Sequence, residues 1–143
     1  MTPARPAPRR GRERGATSLE LAIVAPMFLT LVFLAIQAGL FFYGRTVAVQ
    51  AAREGVSQLR LAEDAAAFEA MRGGAVDYTR DFAATVGQQG LLDPRVEARY
   101  DDAEGRVWVS VTGRVISLVP GLDLTTTAEA SGTVERFREP NRP

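Results

Sequence analysis

From Leu21 to Phe42 the chain runs for 22 residues without a formal charge, and only Thr30 and Gln37 are polar. As a helix rising about 1.5 Å per residue this run reaches roughly 33 Å, close to the ~30 Å hydrocarbon core of a bilayer. A cleaved secretory signal also carries a basic head, but its apolar part usually spans about 7–15 residues and ends at a small-x-small site. Here the run is longer and continues through Tyr43 and Arg45, an aromatic belt residue and a snorkelling cation suited to the far interface. The expectation is a retained single-pass anchor.

Charge sets its direction. Residues 1–15 hold five arginines against Glu13, a net +4, so the balance of 17 basic and 17 acidic residues leaves the remainder at −4. Arginines before the span outnumber those just after it, which keeps the N-terminus cytoplasmic and exports the body. The proline- and arginine-rich start reads as a disordered basic leader, and a topology signal explains it without nucleic acid. The chain has no cysteine and no histidine. That excludes disulfides, a thiol nucleophile, a Ser-His-Asp triad and the commonest general base and metal ligand.

Beyond the span, the alanine-rich stretch to Arg72 has no proline, and Val49, Ala52, Val56 and Leu59 recur at helical spacing. The spacing predicts a continuing helix, weakened at Gly55, with Gly73 and Gly74 as its stop. A second helix is predicted over 76–89, with Tyr78, Phe82 and Val86 as its core stripe. Alternation then takes over. Val96, Ala98 and Tyr100 form one face of a strand, residues 102–105 a hairpin turn, and Val107, Val109 and Val111 the buried face of a second strand. A third strand is expected to end near Phe137. The fold class is therefore α+β: a transmembrane helix extended beyond the membrane, a second helix and a small three-stranded antiparallel sheet. The expected divisions are a leader over 1–15, the span over 16–44, a helical extension over 45–74, an exported domain over 75–138 and a tail over 139–143. So small a core is marginal alone, which favours association with other subunits.

Chemistry-bearing patterns are few. Asp101, Asp102 and Glu104 cluster in the hairpin turn without the ordered spacing of a calcium loop. Glu63, Asp64 and Glu69 read as a solvated helix face. No phosphate loop, nucleophile elbow or zinc signature occurs. No cofactor, metal, nucleic acid or small-molecule substrate is expected, and no enzymatic activity.

The stretch from Arg9 to Leu59 resembles the TadE family, minor-pilin-like membrane proteins of the tight-adherence (Tad/Flp) pilus and secretion machinery. The resemblance rests on Arg14-Gly15, Glu20 at the start of the span, Pro26 soon after, and "AAREGVS" at 51–57 beyond it. Val56-Ser57 departs from the Ala-Arg that the family often shows there. The chain is also shorter than the larger TadG-type relatives. What the resemblance implies is a non-catalytic pilus assembly protein in the cytoplasmic membrane, with other Tad/Flp subunits and a prepilin peptidase as partners. Cleavage between Gly15 and Ala16 would make Ala16 the first residue and Glu20 the fifth. In pilin-like proteins that glutamate is thought to pair with a neighbouring subunit's new amine. A capping reading stands beside it, since Thr17-Ser18-Leu19-Glu20 fits the S/T-x-x-E box that opens many helices. Pro26 reads as a tolerated kink, Ala35 and Gly39 as a small-x-x-x-small face for close helix approach, and Gln37 as a hydrogen-bonding group toward another helix. The alternative function is a single-pass anchored binding module, unrelated to pili, that recognises a partner outside the cytoplasm.

Overall fold

The computed structural model describes residues 11–134, with side chains from Ser18 onward. Two helices precede three strands: α1 (Gly11–Leu59), α2 (Ala65–Gly87), β1 (Leu92–Asp101), β2 (Arg106–Val115) and β3 (Leu124–Thr133). The chain divides into two units, residues 1–36 and 37–143. The long apolar N-terminal helix, the second helix and the three-stranded antiparallel sheet are the α+β arrangement expected from the sequence.

In the first unit α1 is already helical at Gly11, so the last part of the expected disordered leader is ordered. The leader's prolines, at 3, 6 and 8, all precede this point, and nothing after them breaks a helix before Pro26. The backbone is therefore already helical at Thr17, which is not the position of an N-cap. Leu21, Ile23, Val24, Met27, Phe28, Leu29, Leu31, Phe33 and Leu34 are all more than half exposed, a helix apolar on every side.

The second unit is built on the remainder of α1. Val47, Ala48, Ala51, Ala52, Val56 and Leu59 are buried and form the central ridge of the core. α1 stops at Leu59, earlier than the predicted Arg72. A short turn bonds Leu61 N–H to Gln58 and Ala62 N–H to Leu59, and Asp64 then caps α2 by accepting the Ala67 N–H at 2.8 Å. Asp64 is thus a cap and not part of a solvated face. The reversal lets Leu59, Ala62 and Phe68 bury together, which a straight helix would forbid.

α2 then runs through Gly73 and Gly74, the predicted stop. Each glycine costs a helix about 1 kcal/mol, but Phe68, Ala75, Thr79, Ala83 and Gly87 form a buried stripe that overrides it. That stripe is one residue off the predicted Tyr78, Phe82 and Val86, of which Tyr78 and Val86 are exposed. The reason is close packing: small residues let α2 lie against α1. A Cβ on Gly55 would stand 2.7 Å from Thr79 Oγ1 and 3.0 Å from Val109 Cγ1. One on Gly44 would stand 2.7 Å from the Gly90 carbonyl and 2.8 Å from Val115. The helix ends at Gln88, in a left-handed conformation (φ 44°), its N–H bonded to the Ala84 carbonyl.

The sheet order is β1-β2-β3, all antiparallel. Val107, Val109, Val111 and Val115 face the helices, as the alternation requires. Register slips between Leu92 and Arg95, where Asp93 is left-handed (φ 48°) and Pro94 sits on the edge strand. Asp101 pairs with Arg106 across the hairpin, whose turn is the predicted residues 102–105. On the outer face Arg99 meets Glu129 at 3.2 Å and Thr112 meets Thr127 at 2.9 Å. The predicted extension of β3 to Phe137, the start of the leader and the tail over 139–143 lie outside the described residues.

Two glycine substitutions should move stability in opposite directions. Gly55→Ala gains about 1 kcal/mol of helix propensity but meets two buried side chains, a conflict worth about 1–3 kcal/mol. Gly73→Ala gains the same propensity with nothing within 4 Å of its new carbon. Thermal unfolding of the full-length protein in detergent should show a lower Tm for Gly55→Ala and a higher one for Gly73→Ala.

Candidate functional site

The predicted functional residues all lie on α1, divided between the two units. Gly15 and Ala16 are helical in backbone, so the bond that would be cut lies inside a helix in the uncut chain. Glu20 is exposed, more than two turns after the helix begins. It therefore has neither a cap nor a helix N-terminus to favour its charge. Pro26 removes the N–H that would bond the carbonyl four residues earlier. Nearby, the Thr30 hydroxyl donates to the Pro26 carbonyl at 2.8 Å, satisfying the one hydroxyl in the apolar run. The helix assignment is unbroken across Pro26.

In the second unit Gly39 faces open space, with nothing within 4 Å of its α-carbon's free position. Gln37 is different. Its Nε2 donates to the Ile116 carbonyl at 3.1 Å, and its Oε1 accepts the Leu118 N–H at 2.7 Å. The amide thus pairs with two backbone groups of the β2–β3 loop, much as a neighbouring strand would. The sequence points to a partner on another helix; the structure supplies one from the same chain. No local signal joins positions 37 and 116, so only the tertiary fold could reveal the pairing.

A second tie lies one turn and a half further along, where the Tyr43 hydroxyl donates to the Val86 carbonyl at 3.2 Å. At the same end of the sheet Arg114 pairs with Asp93 at 2.6 Å. The hydrogen bond and charge of Asp93, with a smaller contribution from Asp123, raise the Arg114 pKa still further above its ordinary value. This arginine is a fixed cation at any physiological pH.

The acidic hairpin turn is explained by its backbone. Asp101 accepts the N–H groups of Ala103 and Glu104 at 3.0 and 3.1 Å, so its carboxylate organises the turn. Among the described residues no group of three or more carboxylates is placed to hold a metal ion. A groove between α2 and β1 is lined by Arg72, Asp77, Glu97 and Arg99, two cations and two anions with no net charge.

What remains distinctive is α1. Among the described residues it is the one helix long and apolar enough to cross a membrane, and its apolar window is not covered by protein. The chain therefore pairs one candidate membrane-spanning helix with a small α+β unit. Residues 15–57, under a third of the chain, match the family model described as TadE-like protein. This match spans Gly15, Glu20, Pro26, Gln37, Gly39 and the start of the core-forming ridge. No curated protein and no solved structure matches the chain.

The Gln37 pairing has a measurable consequence. Gln37→Leu removes both partners and leaves Ile116 C=O and Leu118 N–H unsatisfied, a loss of about 1–3 kcal/mol locally. Hydrogen exchange should then be faster at Leu118 by roughly ten- to a hundredfold, with β2 amides near Val109 unchanged.

Proposed function

We propose that the chain is a non-catalytic TadE-like assembly protein of a Tad/Flp-type pilus and secretion system. It is a minor pseudopilin-like subunit anchored in the cytoplasmic membrane. The observation that carries this reading is the family match over residues 15–57, because the matched segment holds the junction glycine, the glutamate, the proline and the whole apolar run together. The charge asymmetry supports an N-terminus in the cytoplasm and a body outside it. The mechanism is lateral packing of the membrane helix among other subunits of the machinery, where Gly39 offers an open, close-approach face.

Processing gives Glu20 its role. In the uncut helix it is an interior, exposed carboxylate with no helix end near it. Cutting after Gly15 starts the helix at Ala16, which brings Glu20 into the first turns, where a helix N-terminus favours negative charge. It also creates the amine that a neighbouring subunit's Glu20 can pair with. An ionised carboxylate entering hydrocarbon without such a partner is costly, so the pairing favours correct register during assembly.

Intact mass of the protein from membranes that also contain its prepilin peptidase tests the first step. A mature chain starting at Ala16 is expected, and a chain that keeps its arginines would refute processing. Glu20→Gln should still be cut but should sharply reduce pilus assembly. Normal piliation of that variant would remove the pairing role.

A further inference from the structure

The sheet has two free edges, and they differ. β1 begins with the left-handed Asp93, Pro94 and a slip in register before Arg95, and it carries Arg95, Glu97, Arg99 and Asp101. Features of this kind guard an edge against unwanted pairing. β3 has almost none of them. Its ten residues contain no proline, its register with β2 runs unbroken from Leu124 to Thr133, and Glu129 is its one charge. Among the described residues its outer edge pairs with no strand. An unguarded edge of this length offers a row of backbone donors and acceptors to an added strand. Beyond its guarded start, the edge of β1 is also open, and the groove beside it has room for a strand. One wall of that groove is the consecutive stretch 96–99, which is a strand's edge rather than one of its faces, and Gly73 and Val76 of α2 stand across from it. A Cβ built on Gly73 would meet nothing within 4 Å.

Direction selects the partner. β1 and β3 are both antiparallel to β2, so they run the same way. The second part of α1 runs that way too: Gly44 lies against Val115, which pairs with the start of β3, and Val56 lies against Gly132 near its end. An antiparallel pairing of two β3 edges would therefore point two α1 helices in opposite directions, and both could not enter one bilayer from the same side. Pairing β3 of one copy with β1 of the next is parallel, keeps every α1 pointing one way and leaves all helices on one face of a continued sheet. At equal height, Thr127 of the incoming strand is level with Arg95, since both pair with Thr112, and Ser131 is level with Arg99, since both pair with Trp108. Glu129 then falls beside Arg95, Glu97 and Arg99, where cations outnumber the anion and Arg95 has no ion pair among the described residues. On its helix-facing side β3 brings Thr126, Ala128 and Ala130, all small enough to enter beside Gly73. We propose that copies of this chain associate head to tail, the β3 edge of one adding to the β1 edge of the next. The contact is heterologous, so it extends into a row of folded units rather than closing at two copies.

The choice of parallel over antiparallel pairing rests on α1 as a membrane anchor, and one experiment separates the two. The chain has no cysteine, so introduced thiols are the only ones that react. Full-length Thr127→Cys bearing one epitope tag is reconstituted into phosphatidylcholine vesicles together with Arg95→Cys, Glu97→Cys or Arg99→Cys bearing another. Copper phenanthroline then forms disulfides; all four positions are exposed. The expected result is a dimer carrying both tags, strongest at one of the three β1 positions. Its yield should be severalfold above that with Ala70→Cys, an exposed site on α2. No mixed dimer above that control would overturn the proposal. Efficient dimerisation of Thr127→Cys alone would mean that β3 pairs with β3, which also overturns it. Flotation of the same vesicles on a density gradient reads the anchor separately. Protein that floats without a mixed dimer keeps the anchor and loses the edge pairing, whereas a mixed dimer from protein that does not float keeps the pairing and loses the anchor.

Discussion

One helix, α1, changes character along its length. From Leu21 to Leu34 α1 is apolar on every side, which suits a medium that cannot bond to backbone or side chain. Along its second half it becomes one-sided, presenting Val47, Ala48, Ala51, Ala52, Val56 and Leu59 to a sheet and a second helix. The remaining architecture follows from that second half. The core is mostly alanine and valine, with Leu59, Phe68 and Leu91 as its larger members, so its stability depends on close approach, and close approach depends on Gly44 and Gly55. α2 answers with small residues of its own, and β2 supplies a row of valines that the ridge covers. The same helix thus supplies both the candidate span and the ridge of the folded unit's core.

Gln37 lies where that change begins. A polar residue in an apolar run invites a search for a partner outside the chain, and for Glu20 that search still points outward. For Gln37 the fold provides the partner, and the amide serves to hold a loop whose exposed side chains are apolar. The two polar side chains therefore differ in the structure: Glu20 is exposed, whereas Gln37 is bonded to the loop of its own chain.

Much of this was legible in the sequence for physical reasons. The span is a matter of length and charge, and the strands announce themselves by alternation of Val107, Val109 and Val111 against polar neighbours. The hairpin turn was legible over residues 102–105. The helix boundaries were not. Asp64 lacks a glutamate three residues on, so its cap gives no capping-box signal, and Gly73-Gly74 reads as a stop because the cost of glycine is local while the packing that offsets it is not. The core stripe of α2 was misplaced by one residue because large side chains draw attention, whereas alanine, threonine and glycine form the contact. The Gln37 pairing joins positions 79 residues apart and leaves no mark in local composition.

The absence of cysteine makes the central claim, one helix shared between bilayer and core, directly measurable. Single cysteines introduced along α1 of the full-length protein can carry a nitroxide in lipid vesicles, and collision with oxygen and with a water-soluble nickel chelate reports the surroundings of each. High oxygen and low nickel accessibility on all sides from Leu21 to Leu34 is predicted, changing to protection of one face at helical period from Val47 to Leu59. Nickel accessibility through the first stretch, or one-sided protection along both, would contradict it.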